Sequence, residues 1–181
     1  MGIFRFRSIY FDFICYHPLS RLHCNQKNLS KKNLSGRIMI VENVLPEYYA
    51  EMLAVWENSV KATHDFITEE DIAFFKPIII EQAFPAVTLE CIKDVNGAII
   101  GFVGVHGAKV EMLFIADNAR GQGAGKLLLE YAIGVLNVSS VDVNEQNPLA
   151  VGFYEHMGFK VVSRSPLDDM GKPFPILHMK L

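Results

Sequence analysis

Glycines at 121, 123 and 125, flanked by Arg120 and Lys126, stand immediately before an apolar run with helical spacing that reaches about Leu136. A loop of this kind presents backbone N–H groups at the positive end of a helix, the setting that a phosphate or pyrophosphate requires. Two nucleotide patterns can be tested on it. The Walker pattern G-x-x-x-x-G-K-[ST], aligned on Gly125-Lys126, needs glycine at Arg120 and Ser or Thr at Leu127. The dinucleotide pattern G-x-G-x-x-G, begun at Gly121, needs glycine at Lys126. Neither fits. R-x-x-G-x-G, through Arg120, Gly123 and Gly125, does. A turn that merely tightens a helix onto a strand is the alternative, since glycine also serves close backbone approach.

A second constellation follows at Asn147-Pro-Leu-Ala150-Val-Gly-Phe153-Tyr154-Glu-His-Met-Gly158-Phe159. Asn147 at N-cap, Pro148 at N1 and Gly158 past the end delimit a short helix. On this helix Tyr154 reads as an amphipathic residue packed beside Ala150 and Phe153, with its hydroxyl at the surface. A third segment, Trp56-Glu-Asn-Ser59-Val60-Lys-Ala62-Thr63-His64-Asp-Phe66-Ile67, ends a helix with a histidine and an aromatic residue.

On these segments the chain resembles the GNAT superfamily of acetyl-CoA-dependent N-acetyltransferases. Arg120, Gly123 and Gly125 match its R-x-x-G-x-G loop, and Asn147–Phe159 matches N-x-x-A-x-x-[FL]-Y-x-x-x-G-F at every marked position. The stretch from Trp56 is similar to W-x-x-S-V-x-A-T-H-x-F-[IL], found in a subset of small bacterial members. The resemblance covers most of residues 39–181. It implies an α/β (α+β) fold with a mixed, mostly antiparallel twisted sheet of six to seven strands and about four helices, in the order β-α-α-β-β-β-α-β-α-β-β.

It also implies roles. Arg120, Gly121, Gln122, Gly123, Ala124, Gly125 and Lys126 would wrap the pyrophosphate of coenzyme A, where any Cβ would hold the backbone off the phosphate oxygens. The backbone of Leu113, Phe114 and Ile115 would bind the acetyl and pantetheine groups, with Asn144 and Asn147 beside the cofactor. Asn147 could equally serve only as a cap. Tyr154 would protonate the departing thiolate, an uphill transfer by about 1.5 units from a phenol near ~10 to a thiol near ~8.5.

Strand alternation places Glu111, Leu113 and Ile115 on one face and Met112 and Phe114 on the other. Because several family members keep a general base on this strand, the resemblance makes Glu111 a candidate to accept the ammonium proton, directly or through water; the alternative is a solvated strand charge. His64 and His106 are alternative bases, and His64 and Phe66 candidates to bind the acceptor. The expected reaction is direct transfer in a ternary complex to a small-molecule or peptide amine, with no metal and no covalent enzyme intermediate. A non-catalytic acyl-CoA sensor on the same fold is the competing reading, and a homodimer is in keeping with relatives.

Regular punctuation positions these residues. Ile38–Val41 reads as a strand, and Pro46 opens a helix with Tyr49, Met52, Leu53, Trp56 and Val60 on one stripe. Thr68 followed by Glu69, Glu70 and Asp71 is an N-cap with acids in the first turn, and Pro77 should kink or break that helix. Strands at 87–92 and 98–105 flank the hairpin signal Asn96-Gly97. Another follows at 110–115, after a turn at His106-Gly107-Ala108. Val138–Val143, Phe159–Ser163 and Ile176–Leu181 supply the last three. Cys91 reads as core rather than nucleophile.

Composition sets the bounds. Of 181 residues, 50% are hydrophobic and 20% charged, which argues for a folded chain and against disorder. No apolar run approaches the roughly 18 to 20 residues of a membrane span, so no membrane partner is expected. Cys15, Cys24 and Cys91 form neither a disulfide framework nor a C-x-x-C site and fit a reducing cytoplasm.

Residues 1–38 hold seven basic residues against Asp12 alone, a net +6, so the chain total of −3 leaves −9 for residues 39–181. The first segment shows no sustained period. Asp12 and His17 interrupt any secretory signal, and Phe6 spoils a myristoylation signal. It is read as a basic appendage that a start at Met39 would omit, ahead of an N-acetyltransferase domain at 39–181. A nucleic-acid partner is not expected, because the acidic remainder repels phosphate backbones.

Overall fold

The computed structural model describes residues 30–32, 38–62, 68–168 and 171–181. His64 and Phe66 lie outside these residues. The architecture is an eight-stranded sheet with helices on both faces, and the site described below forms where two of its strands part.

The strands are β1 (Ser30–Lys32), β2 (Ile38–Asn43), β3 (Thr88–Lys93), β4 (Ile99–His106), β5 (Lys109–Ile115), β6 (Ser140–Asn144), β7 (Lys160–Ser165) and β8 (Ile176–Lys180). Their order across the sheet is β1-β2-β3-β4-β5-β6-β8-β7. All neighbours are antiparallel except β5 and β6, which are joined by a helical crossover. Seven strands match the expected order. The eighth, β1, falls in the basic segment and pairs Ser30 with Ile40 and Lys32 with Ile38.

Helices α1 (Tyr49–Lys61) and α2 (Glu69–Ile78) pack on one face, and α3 (Ala124–Leu136) and α4 (Pro148–His156) on the other. The stripe read from sequence closes the first face: Met52, Trp56 and Val60 are at most 1% exposed and pack with Cys91, Phe102 and Met112. Leu127, Leu128 and Leu129 of α3 fill the second, against Val103, Val110 and Val141. Burial of this extent is the main favourable contribution to folding.

Local chemistry sets the boundaries. Thr68 Oγ1 accepts from the Asp71 N–H (3.1 Å) and Asp71 Oδ2 from the Thr68 N–H (3.0 Å), a reciprocal cap worth about 1 kcal/mol. Asp94 Oδ1 accepts from the N–H groups of Asn96 and Ala98, holding the Asn96-Gly97 hairpin turn with Gly97 at φ 82°. Pro77 does not end α2 at its own position. The helix runs through it to Ile78 and then widens into a π-helix over Ile79–Ala83, which shifts the hydrogen-bond register after the missing N–H.

Among the described residues no helix is long and apolar enough to cross a membrane, and no cluster of His, Cys, Asp and Glu could hold a metal ion.

Candidate active site

β5 and β6 pair only through Lys109↔Ser140 and Val110↔Val141. Beyond that point they part, and the edge of β5 from Leu113 to Ile115 faces a groove of about 530 Å³. Leu113, Phe114 and Ile115 form one wall. The loop and first turn of α3 form the floor with Arg120, Gly121, Gly123, Ala124, Gly125 and Lys126. Asn147, Ala150, Phe153 and Tyr154 of α4 close the far side.

The floor is built by glycine. Gly121 and Gly123 hold φ of 70° and 91°, which side chains rarely tolerate, and Gly123 is the N-cap of α3. The first helical bond runs from the Leu127 N–H to Gly123 O (3.0 Å), so the N–H groups of Ala124, Gly125 and Lys126 have no helical acceptor. At Gly125 a Cβ would stand 3.6 Å from Ile115 and 3.7 Å from Phe153, where the groove narrows. Amides without a helical acceptor at a positive helix end, with Lys126 beside them, suit the diphosphate of coenzyme A.

Arg120 lines the groove, but its Nη2 donates to the carbonyl and the hydroxyl of Ser59, each at 3.0 Å. It is a strut between the loop and α1 as well as a positive charge. Asn58 makes a second tie, its Oδ1 accepting from the Asp117 N–H (2.7 Å). Neither tie could be read from the sequence, because the partners are about sixty positions apart.

Tyr154 is buried at 7% exposure between Phe153 and Phe159, with ring centroids at 5.2 and 5.7 Å, and it borders the groove. Burial pushes its phenol above the ordinary value, so the group stays protonated and available as a donor. Asn147 caps α4 through its Oδ1 and the Ala150 N–H (3.1 Å) while also lining the groove.

Three expected site residues stand elsewhere. Asn144 occupies the turn after β6, its Oδ1 accepting from the Gln146 N–H (2.8 Å), and Gln122 turns its amide to Asn118 O (2.7 Å). Neither lines the groove. Glu111 departs from simple alternation. Gly104 pairs with Met112 and Val105 with Val110, which leaves Glu111 as the extra residue of a β-bulge. Val110, Leu113 and Ile115 therefore share the α3 side, and Met112 and Phe114 the α1 side. The Glu111 carboxylate lies 3.7 Å from Lys109 Nζ, and Lys109 lies 2.7 Å from Asp142. Burial raises the pKa of Glu111 above the usual carboxylate range, with Lys109 opposing. His106 ends β4 at its turn. Cys91, fully buried in β3, has its thiol pushed up to about 12 and is no nucleophile.

The model of the acetyltransferase (GNAT) domain family matches residues 63–181. A Salmonella typhimurium protein named peptidyl-lysine N-acetyltransferase YjaB is 40% identical over 129 residues, 71% of this chain and 88% of that protein. The solution structure of apo-form YjaB from Escherichia coli superposes with a TM-score of 0.68 at 35% identity, over 78% of this chain and 96% of that one. PaiA N-acetyltransferase from Thermoplasma acidophilum, solved in complex with coenzyme A, gives 0.61 at 20% identity, over 79% and 99%.

Proposed function

The chain belongs to the GNAT family of acetyltransferases and is an N-acetyltransferase that uses acetyl-CoA, and from that premise we propose that its acceptor is the ε-amino group of a lysine in a protein or peptide. The observation that carries this reading is the parting of β5 and β6 beside the glycine floor, with acidic groups on the side away from α3. A thioester in the groove would reach the parting from one face, and an ammonium group could reach it from the other. The peptidyl-lysine activity named for the Salmonella relative and the net −9 of residues 39–181 both favour a cationic side chain.

Each group then has a task. The α3 amides and Lys126 hold the diphosphate, and the free edge of β5 at Leu113–Ile115 orients the acyl arm and steadies the carbonyl oxygen. Once the ammonium has lost a proton, the amine nitrogen attacks the thioester carbon. As the C–S bond breaks, Tyr154 gives its proton to the sulfur and recovers one from the newly formed amide nitrogen. Glu111, on the acceptor side of the parting, draws the ammonium in and offers one place for its proton. The phenol–thiolate transfer is uphill, so Tyr154 acts as the C–S bond lengthens and not before.

The test is incubation of the full chain with acetyl-CoA and a mixture of Nα-acetyl-Gly-Lys-Gly-amide, spermidine and free lysine, read by mass spectrometry. Acetyl on the peptide ε-amine is the expected product. Transfer to spermidine or free lysine with the peptide untouched would replace the acceptor assignment with a small amine.

A further inference from the structure

Two glycines, Gly101 and Gly104, interrupt β4, and neither has a positive φ that would require glycine. Glycine inside a strand weakens it, so its presence points to a close approach by a neighbour. At Gly104 that neighbour is on the α1 side, where a Cβ would meet Val87 and Met112. Gly101 faces the other way. A Cβ there would stand 2.5 Å from Ile115 Cδ1, 2.9 Å from Phe114 O and 3.4 Å from Ile92 Cγ2, and the first two distances are shorter than real side chains show.

Strand register accounts for the approach. Gly101 pairs with Ile115, and the neighbouring Ala116 N–H donates to Ile100 O (2.9 Å), so Gly101 and Ile115 form a non-hydrogen-bonded pair, the kind whose side chains stand closest. The N–H and C=O of Ile115 therefore point away from β4, to the free edge that faces the groove. Its side chain lies over Gly101 on the α3 side of the sheet.

Ile115 thus stands between two glycines. Its Cδ1 reaches towards Gly101, while its Cγ1 lies 3.6 Å from the place a Cβ would take at Gly125, with Phe153 3.7 Å from that same point. This narrow part of the groove separates two ends. The α3 amides belong to the turn that follows Ile115 in the chain, whereas Leu113, two residues or about 7 Å back along β5, lies towards the parting of β5 and β6. An arm that runs from a diphosphate at α3 to a thioester at the parting has to pass Ile115. A β-branched side chain holds χ1 rigidly, so a methyl group at position 101 would be relieved by swinging Cδ1 about χ2. Ile92 and Phe114 O occupy the sheet side, and the groove is the space left to swing into.

We propose that Gly101 is a positioning residue for the acyl donor: having no side chain, it seats Ile115 back against β4 and keeps open the passage between Ile115 and Phe153 through which the pantetheine arm reaches the parting of β5 and β6. The inference rests on the diphosphate binding at the start of α3. Gly101 touches no substrate and acts through Ile115.

The experiment is calorimetric binding of coenzyme A, and of adenosine 3′-phosphate 5′-diphosphate, which has the phosphates without the arm, to wild type, Gly101→Ala, Ile115→Val and the double variant Gly101→Ala/Ile115→Val. Thiol-release kinetics and thermal unfolding accompany it. Gly101→Ala should weaken coenzyme A binding and raise KM for acetyl-CoA about tenfold, with kcat at saturation within about threefold of wild type and the affinity for the nucleotide unchanged. Ile115→Val removes Cδ1, the atom that the new methyl group would displace. The double variant should therefore bind coenzyme A within about threefold of Ile115→Val alone, a recovery that a general loss of strand stability would not give. Equal losses of coenzyme A and nucleotide in Gly101→Ala, wild-type affinity in that variant, or no recovery in the double variant would overturn the positioning role and leave the acetyltransferase intact. Where Gly101→Ala does not fold, the double variant decides: a folded protein with restored binding supports the role through Ile115, and an unfolded one assigns Gly101 to its 2.9 Å approach to Phe114 O instead. A wild-type protein that fails to bind coenzyme A would overturn the diphosphate site and the passage together.

Discussion

Arg120 and Ser59 tie the glycine loop to α1 at the groove that both line: the Arg120 Nη2 donates to both the carbonyl and the hydroxyl oxygen of Ser59, at 3.0 Å each. The loop that would hold the diphosphate is thereby fixed to the last turn of α1, next to the segment 63–67 that leads into α2. The ion pair of Arg120 with Asp117, at 3.8 Å and partly exposed, adds little.

Ser59→Ala should therefore raise KM for acetyl-CoA about three- to tenfold with kcat nearly unchanged, because one hydrogen bond to a charged, part-buried group is lost while the carbonyl bond survives. Arg120→Ala removes both bonds and the charge and should raise KM further. Thiol-release kinetics at varied acetyl-CoA measure both. A kcat effect without a KM effect would assign the strut to the chemical step instead.

Tyr154→Phe removes the phenolic proton and keeps the ring stacked on Phe153 and Phe159. The expected result is a kcat lower by about 10²-fold with acetyl-CoA affinity unchanged. Thiol release at the wild-type rate would remove Tyr154 from the reaction.

Glu90 gives a pH dependence of stability. It is 4% exposed on β3, it accepts a long hydrogen bond from the Tyr131 hydroxyl (3.4 Å), and burial raises its pKa to about 7. A carboxyl with a raised folded value binds its proton more tightly in the native state. Its contribution is therefore full below the unfolded value of 4.5 and is lost as pH climbs through about 7. The span amounts to roughly 3 kcal/mol at 1.36 kcal/mol per unit. Urea unfolding at pH 6 and pH 8.5 should show the last part of this fall, about 1.4 kcal/mol, and Glu90→Gln should flatten it. An equal slope in the variant would place the dependence on another group.

A chain beginning at Met39 should retain acetyl transfer. β1 is a three-residue edge strand paired with β2 alone, whereas Met39 and Val41 are buried against the α3 cluster. The cost should be a modest drop in Tm, read by thermal unfolding together with thiol release. Loss of activity in the shortened chain would make residues 1–38 part of the working domain.

Most of the fold was legible because its signals are local. The apolar stripe of α1, the Thr68–Asp71 cap, the Asn96-Gly97 turn and the Asn147-Pro148 start of α4 each lie within a few residues of the structure they specify. The glycine floor was legible for the same reason, since backbone freedom at 121–125 is written in contiguous sequence, whereas Tyr154 was singled out by the family motif and the structure places it at the groove. The face of Glu111 was not. Alternation counts residues along one strand, and the bulge that moves Glu111 exists only in the pairing with β4.

The sequence by itself determined which local elements form, where they start and stop, and which glycine loop presents amides at the start of α3, because propensity, capping and glycine conformations act over a few residues. Only the tertiary structure decided that β5 and β6 part after Val110 and that Arg120 spends its guanidinium on Ser59. Those relationships depend on strand register and on crossover connections that bring positions tens of residues apart within hydrogen-bonding distance, and no spacing along one chain encodes them.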